Sequence, residues 1–73
     1  MNKEFLAKIV NKIKKLREEK GITQLELALE MGLTPGAIAN IETLRNDIST
    51  TRLYDIAKAL GVEPWELLKF DEE

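Results

Sequence analysis

Three glycines cut this chain into short pieces, and each is followed within three residues by a residue that starts helices. Gly21 precedes Thr23, Gly32 precedes Thr34-Pro35, and Gly61 precedes Glu63-Pro64. Glycine reaches positive φ without a Cβ clash, so it closes a helix with a left-handed cap. Threonine and serine hydroxyls accept from the free N–H groups that open the next helix, and proline suits its first position. No helix between such marks can be long. The chain must therefore fold as several short helices that share one core.

The apolar spacing agrees. Leu6, Ile9/Val10, Ile13 and Leu16 recur every three or four residues, which makes one face of an amphipathic first helix ending at Gly21. Thr23 with Glu26 forms a capping box for a second helix, whose inward side is expected from Leu25, Ala28, Leu29 and Met31. Thr34 as N-cap and Pro35 at the first position open a third helix that buries Ile38 and Ile41. Asn46-Asp47 favours a turn. Ser49 caps a fourth helix with Leu53, Ile56, Ala57 and Leu60 inward, and Glu63-Pro64 starts a short last one carrying Trp65, Leu67 and Leu68. The acidic tail Asp71-Glu72-Glu73 reads as a frayed end. No stretch alternates long enough to make a strand. The expected fold is all-α: five helices in one domain over residues 1–73.

At 73 residues such a domain buries only roughly 60 % of the surface of its unfolded chain. The absence of cysteine and histidine excludes disulfides, Cys/His metal sites and histidine catalysis. Neither cofactor nor metal is expected. Charges run through the apolar stretch of MNKEFLAKIVNKIKKL, so it reads as neither a signal peptide nor a membrane helix, and a soluble cytoplasmic protein is expected. Glu26, Glu30, Asp55 and Asp71 fall on polar faces and imply no convergent pocket, which argues against an enzyme. The net charge of −2 is unusual for a nucleic-acid binder, although the location of charge matters more than its sum. Lysines crowd the first helix, while Gly21 to Thr51 carries Glu26, Glu30, Glu42 and Asp47 against Arg45 alone.

The informative unit runs from Thr23 to about Glu42: a capped helix, a glycine turn and a second capped helix. Its stretch GLTPGAIANIE places almost no side chain on the first turn of the third helix. Such a surface suits a tight protein contact or a nucleic-acid groove. A short glycine turn between two helices can be a helix-turn-helix, or a plain hairpin in a small bundle. Periodicity does not separate the two.

Resemblance does. GITQLELALEMGLTPGAIANIE and STTRLYDIAKALGVEPWELL resemble the lambda-repressor-like helix-turn-helix family of phage repressors and Cro proteins, from about Ile13 to Leu68. The matching motifs are Thr23-Gln24, Leu27-Ala28, Gly32, Ile38, Ile41-Glu42 and the run from Ile56 to Gly61. The resemblance implies double-stranded DNA as partner, a third helix in the major groove and a role in transcription regulation. It implies that Gln24 clamps a phosphate, that Thr34, Pro35, Gly36 and Asn40 face the bases, and that Thr43, Arg45 and Asn46 follow the backbone. Asn40 is the candidate for direct readout, since an amide pairs bidentately with adenine. Pro35 and Gly36 replace the family's usual donors and leave close approach as their contribution. Leu44 stands where the family has glycine, and a third helix longer by a turn is expected there. The resemblance also implies a buried Arg17–Glu42 salt bridge.

Trp65 and Phe70 have two readings, a core cover or a homodimer contact through the last helix. The rival to DNA binding is a designed or redesigned scaffold, or a protein-interaction module on the same fold. The acidic middle and the donor-poor third helix favour that rival, whereas Gln24, Asn40, Thr43, Arg45 and Asn46 favour DNA.

Overall fold

Helix α1, Lys3–Glu19, opens a computed structural model that describes residues 2–70, so the tail Asp71-Glu72-Glu73 lies outside the described residues. Asn2 caps α1 by accepting from the Phe5 N–H at 2.9 Å. Of the predicted stripe, Leu6, Ile9, Val10 and Ile13 are buried and Leu16 is half-buried, while Arg17 joins the buried side.

Helix α2, Gln24–Glu30, begins in the predicted capping box. The Glu26 N–H donates to Thr23 Oγ1 at 3.0 Å, and the Thr23 N–H donates to Glu26 Oε1 at 2.8 Å. Its inward side differs from the expectation. Leu27 and Ala28 are buried and Met31 half-buried, while Leu25 and Leu29 are 48 % and 61 % exposed. Leu25 and Leu29 each lie two residues from Leu27, about 200° around a helix of 3.6 residues per turn, so they face away from it.

Helix α3, Ala37–Glu42, starts later than predicted. Thr34-Pro35-Gly36-Ala37 forms a turn, in which the Ala37 N–H donates to the Thr34 carbonyl at 3.0 Å. Gly36 is the N-cap residue, and no side chain caps this helix. Proline therefore sits in the turn rather than in the helix, where its fixed φ is equally suitable. α4 spans Thr50–Leu60 behind its predicted cap, Ser49 Oγ, which accepts from the Arg52 N–H at 3.0 Å. The last element, Pro64–Leu68, is a single 3-10 helix rather than a fifth α-helix. Its start is held by the Glu63 N–H, which donates to Glu66 Oε2 at 2.8 Å.

Each of the five elements sends at least one large apolar side chain to full burial: Ile9 and Ile13 from α1, then Leu27, Ile38, Ile56 and Leu67. Burying a side chain of that size contributes roughly 1.5–3 kcal/mol. α3 packs against α1 and α2, while α4 packs against α1, α2 and the 3-10 helix. Ile48, in the connection before α4, is also buried, which the helical periodicities did not reveal.

All four α-helices end in the same bond, from an N–H to the carbonyl five residues back. The pairs are Ile22 to Arg17, Leu33 to Ala28, Arg45 to Asn40 and Val62 to Ala57, at 3.0, 2.8, 3.1 and 3.0 Å. This closure places one residue at positive φ. Gly32 takes it between α2 and α3 with φ +70°. After α3 the residue is Leu44, with φ 62°. Leucine does not lengthen α3, as the sequence had suggested. It occupies the left-handed position of a glycine instead, because α3 must stop where Ile48 turns into the core.

Candidate nucleic-acid interface

Two buried residues hold α3 against the rest of the fold. Ile38 and Ile41 face inward, and Ala28 of α2 is fully buried beside them, so the two helices approach closely across the turn at Gly32. The opposite face of α3 is left open. Asn40 is exposed there, preceded by exposed Thr34, Pro35 and Gly36. A Cβ built on Gly36 meets nothing within 4 Å. Internal packing does not require a small residue at that position.

Beneath this face lies an ion-pair network. Arg17 Nε donates to Glu42 Oε2 at 2.8 Å, Nη2 donates to Oε1 at 3.1 Å, and Nη1 donates to the Ile22 carbonyl at 2.8 Å. The two side chains are only 9 % and 3 % exposed. The hydrogen bond to Glu42 raises the Arg17 guanidinium above its ordinary pKa, against the opposing effect of burial. The expected salt bridge is therefore present and two-pronged. Gln24 joins it, since its Nε2 donates to Glu42 Oε1 at 2.9 Å. One acidic residue of the middle segment is thus neutralised inside the fold. One amide N–H and the carbonyl oxygen of Gln24 remain for another partner.

A concavity of about 380 Å³ opens between α3 and the start of α4. Thr34, Ala37, Asn40, Asn46, Ser49 and Arg52 are among its lining residues, and Asp47 borders it with its Oδ1 accepting from the Ile48 N–H at 2.9 Å. Three of the residues singled out in the sequence, Thr34, Asn40 and Asn46, thus meet on one surface. The others do not line it. The Thr43 hydroxyl is turned back onto α3, reaching the Ala39 and Asn40 carbonyls at 2.9 and 3.2 Å. Its proton is therefore engaged within the helix. Arg45 is exposed beyond the left-handed closure at Leu44.

Arg52 had no sequence signal. It stands in the first turn of an ordinary amphipathic helix, and only the approach of α4 to α3 brings it beside Asn40 and Asn46. Glu30 and Asp55 also share a shallow depression with Lys58, whereas Glu26 is spent on its capping box and Asp71 lies outside the described residues. No group of three or more His, Cys, Asp or Glu among the described residues could hold a metal ion. No described helix is long and apolar enough to cross a membrane.

A capped helix, a glycine turn and a second helix with one face buried and the other open make a helix-turn-helix, the unit whose second helix enters the DNA major groove. The chain belongs to the helix-turn-helix family HTH_3, whose model matches residues 13–67. It is 36 % identical over 59 residues to the uncharacterised HTH-type transcriptional regulator y4dJ of Sinorhizobium fredii, across 81 % of this chain and 77 % of that one. Its fold is similar to the hypothetical transcription factor NHTF from Neisseria, with TM-score 0.86 and 30 % identity over 92 % of this chain and 77 % of that one. It is also similar to the restriction-modification controller protein C.AhdI from Aeromonas hydrophila, with TM-score 0.79 and 32 % identity over 85 % of this chain and 94 % of that one.

Proposed function

We propose that this chain is a transcriptional regulator that binds double-stranded DNA sequence-specifically, with α3 in the major groove. The open outer face of α3, set on a rigid buried inner face, carries the reading. Its bare first turn suits a helix that must approach its target closely. Relatives named as regulators and controllers support it further.

Asn40 reads a base through its amide, a pairing worth roughly 1–3 kcal/mol of discrimination. Pro35 and Gly36 let the backbone descend, and Thr34 offers its hydroxyl beside them. Gln24, oriented by Glu42, donates its remaining amide N–H to a phosphate. Arg45 and Asn46 follow the backbone after α3, and Thr43 reaches it by turning its hydroxyl proton from the Ala39 carbonyl to a phosphate oxygen. Two copies bind a near-palindromic site, with half-sites roughly 34–36 Å apart. Trp65 and Leu68, 60 % and 44 % exposed, supply the contact between copies. They stand three residues apart on the 3-10 helix and so share a face. Phe70 does not join them. It is half-buried against Phe5, with ring centroids 5.8 Å apart edge to face, and Lys8 Nζ lies 5.7 Å from its ring.

Selection of bound duplexes from a randomised pool tests the function. An enriched motif with two related halves is the expected result. Failure to enrich any motif at low salt would instead support the interaction-module reading.

A further inference from the structure

The segment from Thr34 to Thr43 contains no lysine or arginine, and its one acid is consumed by Arg17 and Gln24. A helix so built can enter a groove, but it brings no charge to a polyanion. The charge must come from beside it. Arg52 is the one cation among the described residues that line the concavity next to α3. Its residue is half-buried, yet no hydrogen bond or ion pair engages its guanidinium among the described residues. A stem laid along a wall with a free head loses little further freedom when the head is bound.

We propose that Arg52 is a phosphate anchor, clamping one DNA backbone phosphate at the rim of the groove that α3 enters. The inference rests on the DNA-binding reading above and adds a residue to it. A guanidinium presents paired N–H donors that match two phosphate oxygens. Asn46 and the Ser49 hydroxyl stand on the same wall as further donors, since Ser49 uses its oxygen to cap α4 and keeps its proton. Asp47 on the same rim opposes an anion, with its Oδ1 accepting from the Ile48 N–H, so the proposed clamp rests on the Arg52 side of the wall. A phosphate is favoured over a base because Arg52 stands on α4, to the side of the bare turn at Pro35-Gly36. Phosphates border the groove, and contacts to them set position rather than sequence.

The test compares the parent, Arg52→Ala and Arg52→Lys on a selected duplex and on an unrelated one, between 50 and 200 mM salt. Arg52→Ala should bind both about tenfold more weakly at the low end. Its plot of log affinity against log salt should be shallower by about 0.9, the release of one phosphate's counterion. Arg52→Lys should keep the parent slope and recover part of the affinity. Circular dichroism melts establish that the variants fold, and Arg52→Gln, which retains most of the stem, should repeat the loss. An unchanged slope and affinity in Arg52→Ala overturns the anchor while leaving the DNA-binding reading intact. So does a loss confined to one base pair, which would make Arg52 a base reader. A parent that binds neither duplex overturns both.

Discussion

Leu44 is the residue most at odds with its own conformation. A left-handed φ of 62° brings its Cβ against the backbone, at roughly 1–2 kcal/mol for an L-residue. Glycine would remove that strain but add entropy to the unfolded chain, and the exposed leucine would lose little packing. Leu44→Gly should therefore stabilise the fold by about 0.5–1 kcal/mol, seen as a rise of several degrees in the melting midpoint. A midpoint that falls would mean that Leu44 packing outweighs its strain. Gly36 presents the reverse situation. Its φ of −90° suits any residue, and the space around it is open. Gly36→Leu loses the N-cap preference for glycine but gains by restricting the unfolded chain, so stability should stay within about 0.5 kcal/mol. DNA binding should weaken at least about tenfold, because the new side chain projects from the approaching surface. Titration decides, and parent-like affinity would contradict the groove reading of this turn.

At the scale of elements, Arg17, Glu42 and Gln24 tie α1, α3 and the start of α2 into one unit. Both charges are almost fully removed from water, and each has several partners. Removing one member leaves the other charged and buried. Glu42→Ala should cost roughly 3 kcal/mol, read from denaturant or thermal melts, and most of that is the stranded guanidinium rather than the net worth of the pair. An unchanged midpoint would show that water reaches Arg17 in solution. The same network orients Gln24, so any Glu42 variant that still folds also tests whether that orientation matters for binding.

For the molecule as a whole, the proposed binding turns on charge and on the proposed contact between two copies. A net charge of −2 gives no general attraction to a polyanion, so the proposed binding calls on local cations, the roles proposed above for Arg45 and Arg52. Weak single-copy attraction makes a second copy valuable, since two linked half-site contacts reinforce each other. Trp65 is the large exposed side chain proposed above as the anchor of that contact. Trp65→Ala should leave stability within about 0.5 kcal/mol, as for other exposed sites. Sedimentation should show a shift toward the single copy, and binding to a two-half site should weaken. Identical sedimentation of parent and variant would remove Trp65 from the interface.

What local sequence determines is visible at the element boundaries. Thr23 with Glu26, Ser49, Gly32 and the stripe of α1 act through neighbours three or four residues away, so their roles were legible before any fold was known. The Arg17–Glu42 pair and the grouping of Thr34, Asn40 and Asn46 were reached only through family resemblance, because their partners are distant in sequence. Tertiary structure alone decided the rest. α2 is too short for its own periodicity to choose a face, so packing against α3 and α4 settled that Leu27 goes inward and Leu29 outward. The late start of α3 and the left-handed Leu44 follow from where Ile38 and Ile48 must enter the core. Arg52 became part of the candidate interface for a similar reason. A charge on one helix gains a role only when another helix brings an open face beside it.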